Sequence, residues 1–223
     1  MRVVGIVPVK PLGVALGRLA RVLDAGLRRE LQMGMLADVL STCGATRGLA
    51  EVLVVTADPE AAGLAGAHGA REIADHIPPQ GMNPAVIRGL SVAMDVGADA
   101  ALVLTADLPV ATPADLERVI ASVHPTEGVT LVPSREGTGT NALLVRPPNI
   151  FVPELGIGSR ARHRTQAAGR GIELHELECP GIALDVDTPA DLAMFVAGAC
   201  PGIAQEICTR RGVAELLRAG SVL

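Results

Sequence analysis

The sequence predicts a three-layer α/β/α sandwich around a mostly parallel central sheet. Three observations predict it. Short runs of Val, Leu, Ile and Ala without in/out alternation recur along the chain, which is how strands buried on both faces read. Segments with helical apolar spacing separate them, the grammar of crossover-connected parallel strands. An apolar run that ends in Asp and leads into Thr-Pro-Ala-Asp occurs twice, through 101–115 and 183–191, and each copy reads as a strand followed by a capped helix.

Taken in order, Val3–Val9 is a buried first strand that meets Pro8 and Lys10. Gly13 and Gly17 loosen the loop that follows. Asp24 can cap a helix whose Leu27, Leu31, Leu36 and Leu40 fall near one face. Residues 51–56 form the second strand, stopped at Asp58-Pro59. An Ala-rich helix and a short strand near Arg71–Ile73 follow, then a loop with Asn83 as the cap of the next helix. A strand over 101–106 reaches Asp107. Thr112, Pro113 and Asp115 then make a capping-box helix start. The stretch VTLVPSREGTGTNALLVRPP reads as two strands around a Gly-rich loop, and a long loop enters a helix near Ser159. The run at 183–187 reads as the end of a last buried strand, before the second capping box at Thr188. This gives one domain over 1–199 and an amphipathic helical tail over 200–223 that packs on the surface or on a partner, so a homodimer is conceivable.

Composition narrows the function. Apolar residues are 49% of the chain, yet there are two Phe and no Trp or Tyr, and the net charge is -5. A nucleic-acid reader would lack both its stacking platform and its basic footprint. The four cysteines form no C-x-x-C pair, which predicts a reduced, cytoplasmic protein. The first apolar run is too short for a signal segment, and no stretch has transmembrane length, so no membrane partner is expected.

Four constellations have chemical content. Asp107 sits at the C-terminal end of a predicted strand, the edge where open α/β sheets bind ligands. Asp185 and Asp187 share that situation; carboxylates at neighbouring strand ends could converge as hard oxygen ligands for Mg²⁺ beside a phosphate-rich substrate. Turn formation accounts for such residues equally well, and Asp115 and Asp191 are read as caps. The loop PVKPLGVALGRL places Lys10 and Arg18 where a backbone could approach phosphates, although it contains neither a Walker A nor a dinucleotide fingerprint. The Gly-rich REGTGTN offers backbone donors and hydroxyls. GIGSRARH puts Ser159 at a helix start, either as an anion site or as a plain cap. His163 reads as a solvated helix-surface residue rather than a base.

The set VPVKPL…GRL, VLVVTADP, GMNPAVIRGL, LTADLP, GTGTNALLVRPP, GIGSRARH and LDVDTPADL resembles, in order, the phosphoenolpyruvate / 2-phospho-L-lactate guanylyltransferases of deazaflavin coenzyme biosynthesis. The resemblance spans roughly residues 1–197 and is specific as a set. It implies a glycosyltransferase-A-like nucleotidyltransferase fold and transfer of GMP from GTP to a phosphorylated three-carbon acid, with release of pyrophosphate. It also implies Mg²⁺ held by Asp107 and Asp187, Lys10 and Arg18 beside the GTP phosphates, Asn83 near the guanosine, and Thr140, Gly156 and Ser159 around the small acid. Phosphoenolpyruvate is the expected acid, with 2-phospho-L-lactate and 3-phospho-D-glycerate as alternatives. One position departs: the family usually has a second Lys where this chain has Leu16, which keeps open a non-catalytic nucleotide-binding partner of the pathway. A sugar-1-phosphate or molybdenum-cofactor transferase of the same fold would carry a G-G-x-S-x-R-M loop after the first strand, which is absent.

Overall fold

The computed structural model describes residues 1–12 and 16–220; Gly13 and the last three residues of the predicted tail lie outside them. The strands are β1 (Val3–Val9), β2 (Leu49–Thr56), β3 (Arg71–Ala74), β4 (Ala100–Leu104), β5 (Gly128–Pro133), β6 (Thr140–Arg146) and β7 (Leu174–Glu176). The helices are α1 (Ala25–Ala45), α2 (Pro59–Ala67), α3 (Met82–Asp95), α4 (Pro113–Ala121), α5 (Ser159–Arg170), α6 (Pro180–Ala183), α7 (Pro189–Gly198), α8 (Ile203–Arg210) and α9 (Val213–Gly220), with a 3-10 turn at Gly17–Arg21. The strands make one sheet in the order β3-β2-β1-β4-β6-β5-β7. β6 pairs antiparallel with both β4 and β5, and the other pairings are parallel. The sheet is therefore mostly parallel, with β6 reversed.

Alternation in depth replaces alternation in polarity. Val3, Val7, Val54, Leu102, Leu104 and Leu144 pack on one face against α1, α2 and α4. Val4, Ile6, Leu53, Val55, Val103 and Leu143 pack on the other against α3, α5 and Phe151. All seven residues of β1 are buried. Each face is covered, so each strand reads as one continuous apolar run.

The helix starts follow their caps. Asp24 accepts from Leu27 N at 2.8 Å, and both Thr-Pro-Ala-Asp copies form reciprocal capping boxes. Two expectations are corrected. Asn83 does not cap α3: the cap position is Gly81, at φ 108°, and Asn83 lies within the first turn. Residues 183–187 are not a strand. Ala183 is the last residue of the short helix α6, and 184–187 run extended across the ends of β4 and β6, with Val186 N donating to Asp107 O at 3.0 Å. Apolar spacing over five residues does not distinguish a strand from an extended segment pinned by side chains.

The C-terminal segment lies on α1. Asp38 caps α8 by accepting from Ile203 N at 2.7 Å and Ala204 N at 2.9 Å. Ala204, Ile207, Cys208 and Val213 complete a third buried cluster with Leu19, Leu31, Met35 and Phe195. Gly34 allows the contact, because a Cβ there would stand 2.6 Å from Ile207 Cδ1. Asp38→Ala removes two capping acceptors and is expected to cost about 1 kcal/mol, a Tm decrease of roughly 2–4 °C by calorimetry for a chain of this size.

Candidate active site

The C-terminal ends of β1 and β4 open onto a cleft of about 600 Å³. Its lining includes Lys10, Arg18, Asp107, Thr140, Gly156, Asp185 and Asp187, which the fold brings together from positions far apart in the chain. Beside it lies an apolar slot of about 320 Å³ lined by Pro8, Val9, Pro11, Pro79, Met82 and Ala85, with Asp75 at its edge. Lys10 lines both cavities.

Asp107 follows β4 by three residues, so it is carried at the sheet edge as its sequence position implied. The 182–187 segment is fixed opposite it. Asn141, buried at the start of β6, donates its side-chain amide to Ile182 O, Ala183 O and Asp185 Oδ1, each at 3.0 Å. Arg135 N bonds Ala183 O at 2.8 Å, and the Arg135 side chain pairs with Asp191 at 2.7 Å. Asp185 and Asp187 thereby flank the Val186 contact with Asp107. Arg18 reaches Asp187 at 2.8 Å across an exposed gap.

Two of these carboxylates, Asp107 and Asp185, sit where their charged forms are disfavoured. Burial first, and then the charges of Asp185 and Asp187, push Asp107 up to about 6. Burial also raises Asp185, opposed by its bond from Asn141. Asp107 Oδ1 and the neighbouring Thr105 Oγ1 are buried without a hydrogen-bond partner. An orphaned, desolvated carboxylate oxygen beside a second carboxylate suits a hard divalent cation that keeps water and substrate oxygens in its remaining positions. Among the described residues no three His, Cys, Asp or Glu side chains form a ready-made cage.

The other predicted residues have more specific placements. Asn83 accepts from Leu155 N at 2.7 Å and donates to Leu155 O at 3.3 Å. Its amide therefore clamps the loop before α5 onto α3, while its neighbours Gly81 and Met82 line the apolar slot. Ser159 is neither a cap nor a lining residue: Gly158 holds the cap position, and Ser159 is fully buried with Oγ 3.1 Å from Thr140 Oγ1. Leu16 stands at φ 60° with its side chain in the third cluster. His163 is corrected outright. It is fully buried, not solvated; Nε2 accepts from Glu154 N at 2.8 Å and Nδ1 lies 3.1 Å from Thr140 Oγ1. Burial, with the Arg162 charge adding to it, lowers it to about 4. The helical spacing of Ser159, His163 and Ala167, all buried on one face of α5, was the signal available in the sequence for this burial.

Comparison with known proteins gives the family and the fold. A family model described as guanylyl transferase CofC like matches residues 1–201. The chain belongs to that family. It is 40% identical over 219 residues to a phosphoenolpyruvate guanylyltransferase of Conexibacter woesei, covering 98% of this chain and 94% of the relative. It is 39% identical over 206 residues to one of Sphaerobacter thermophilus, covering 92% and 98%. A crystal structure of a putative nucleotide-diphospho-sugar transferase from Desulfovibrio desulfuricans superposes with a TM-score of 0.76 at 16% identity, covering 99% of both chains. That likeness supports the glycosyltransferase-A-like nucleotidyltransferase fold, and the family match extends over the sheet, the cleft and every residue named in it.

Two outcomes follow from the electrostatics. His163 is lowered in the folded state, so its neutral form stabilises fully above pH 6.5, and that stability is lost as pH falls toward 4. Between pH 7 and 4.5 wild-type Tm should therefore fall further than that of His163→Gln. Asp107 is raised, so its charge destabilises the metal-free fold above pH 6. Asp107→Asn should melt a few degrees higher than wild type at pH 8 without added metal.

Proposed function

We propose that this protein transfers GMP from GTP to phosphoenolpyruvate, releasing pyrophosphate, as a cytoplasmic step of deazaflavin coenzyme biosynthesis. The observation that supports it best is the junction at Lys10: an apolar slot of a size to accept a purine base opens there onto a cleft with paired carboxylates and a second cation. A nucleoside triphosphate fits that layout with its base in the slot and its phosphates along the cleft. The curated relatives named phosphoenolpyruvate guanylyltransferase supply the base and the acid.

In this reading Asp107 and Asp187 hold Mg²⁺, which when bound neutralises phosphate charge and polarises the α-phosphorus. Lys10 and Arg18 face the phosphates and offset the charge that develops on the equatorial and leaving oxygens. Arg18 rests on Asp187 and is within reach of both roles. The acid occupies the far side of the cleft, between Thr140 and Gly156. Its phosphate oxygen attacks the α-phosphorus directly. That oxygen is already ionised at neutral pH, so no general base is needed, and His163, which stays neutral and buried, is not one.

The test is pyrophosphate release from GTP and Mg²⁺ with phosphoenolpyruvate, 2-phospho-L-lactate or 3-phospho-D-glycerate, each alone, with ATP and no-acid controls. Release with GTP and phosphoenolpyruvate is expected; release only with another acid, or none, overturns the assignment. Arg18→Ala breaks only an exposed ion pair, so Tm should stay within about 2 °C, while kcat falls on the order of a hundredfold through lost transition-state charge stabilisation.

A further inference from the structure

The relay behind Thr140 has directionality. The backbone N–H of Glu154 can only donate, so His163 Nε2 is an acceptor. A neutral imidazole then carries its one proton on Nδ1, which faces Thr140 Oγ1 at 3.1 Å. The Phe151 ring, tilted 59° with its centroid 5.5 Å from that of the imidazole, holds the ring in place. Ser159 Oγ also lies 3.1 Å from Thr140 Oγ1, and among the described residues Thr140 is its only hydrogen-bond partner. Two donors therefore fill the two lone pairs of the Thr140 oxygen. The one remaining polar capacity of that hydroxyl is its own proton, and Thr140 lines the cleft.

We propose that His163 is a positioning residue that fixes Thr140 as a hydrogen-bond donor to an anionic oxygen of the acceptor acid. The identity of that acid rests on the function proposed above. With its acceptor sites filled from behind, Thr140 presents a proton of fixed direction to a phosphate or carboxylate oxygen and cannot accept from a ligand hydroxyl. His163 touches no reacting atom; it acts through Thr140. The Asn83 clamp on Leu155 keeps Glu154, the anchor of the relay, in register.

The test uses His163→Leu, which removes both contacts, and His163→Gln, whose amide can accept from Glu154 and donate to Thr140. His163→Asn, too short to bridge both partners, stands in should His163→Leu not fold. In steady-state pyrophosphate release, His163→Leu should raise KM for phosphoenolpyruvate on the order of tenfold, as expected for a lost hydrogen bond to a charged group. KM for GTP should stay within about twofold, and His163→Gln should restore most of the loss. In a Thr140→Val background the same substitution should have no further effect. Equal shifts in both KM values, or a full effect of His163→Leu in that background, overturns the proposal and leaves His163 a packing residue. If wild type shows no turnover, the proposed reaction fails, and the relay is then read by calorimetric titration with inorganic phosphate: weaker binding by His163→Leu supports it, and affinity equal to wild type overturns it.

Discussion

The site depends on one seam, the end of α6 and the extended segment 184–187 laid over the ends of β4 and β6. Two backbone bonds, Val186 N to Asp107 O and Arg135 N to Ala183 O, and the side-chain amide of Asn141 hold it there. Without that seam Asp107 would be one carboxylate at a sheet edge. With it, buried Asp107 faces the charges of Asp185 and Asp187, and its protonation is displaced as a result. The stability given up in holding these charges together is consistent with a site designed around a cation rather than around its own hydrogen bonds.

The reversed strand β6 makes the seam possible. A wholly parallel sheet would place only crossover loops at this edge. Because β6 runs antiparallel to β4, its first residues, Thr140 and Asn141, arrive at the same edge as the end of β4. Asn141 turns toward the carboxylates and Thr140 toward α5. One dipeptide thus organises both halves of the cleft, the carboxylate side through Asn141 and the α5 side through Thr140, His163 and Ser159. Arg160 ties the Gly-rich loop to α5 by bonding Gly137 O and Glu176, so the hairpin that delivers the dipeptide is itself anchored.

The second layer of the cleft is held by side-chain-to-backbone bonds rather than by regular structure. Asn83 clamps Leu155, and Glu154 in turn anchors His163. The loop before α5 contains Pro153, Gly156 and Gly158 and has no ladder of its own, so its backbone groups need partners from neighbouring elements. Those partners are residues that a linear reading assigns to ligands. Asn83 and Ser159 are examples: the polar atoms of their side chains bond Leu155 and Thr140.

What the sequence determined by itself was everything written in local pattern. Continuous apolar runs gave the two-sided sheet, Asp24, Thr112 and Thr188 marked helix starts, and the position of Asp107 just after an apolar run put it at the ligand-binding edge. The ordered motif set identified the family. Only the tertiary structure decided the rest, because it turns on long-range partners. Residues 183–187 have the composition of a strand but find side chains instead of a ladder, Asn83 has a capping residue's chemistry two residues too late, and His163 lies on the buried face of α5, where desolvation keeps it neutral. The polarity of a hydroxyl such as that of Thr140 is set by which neighbours donate to it, and those neighbours are joined by folding across 19 and 23 positions of chain.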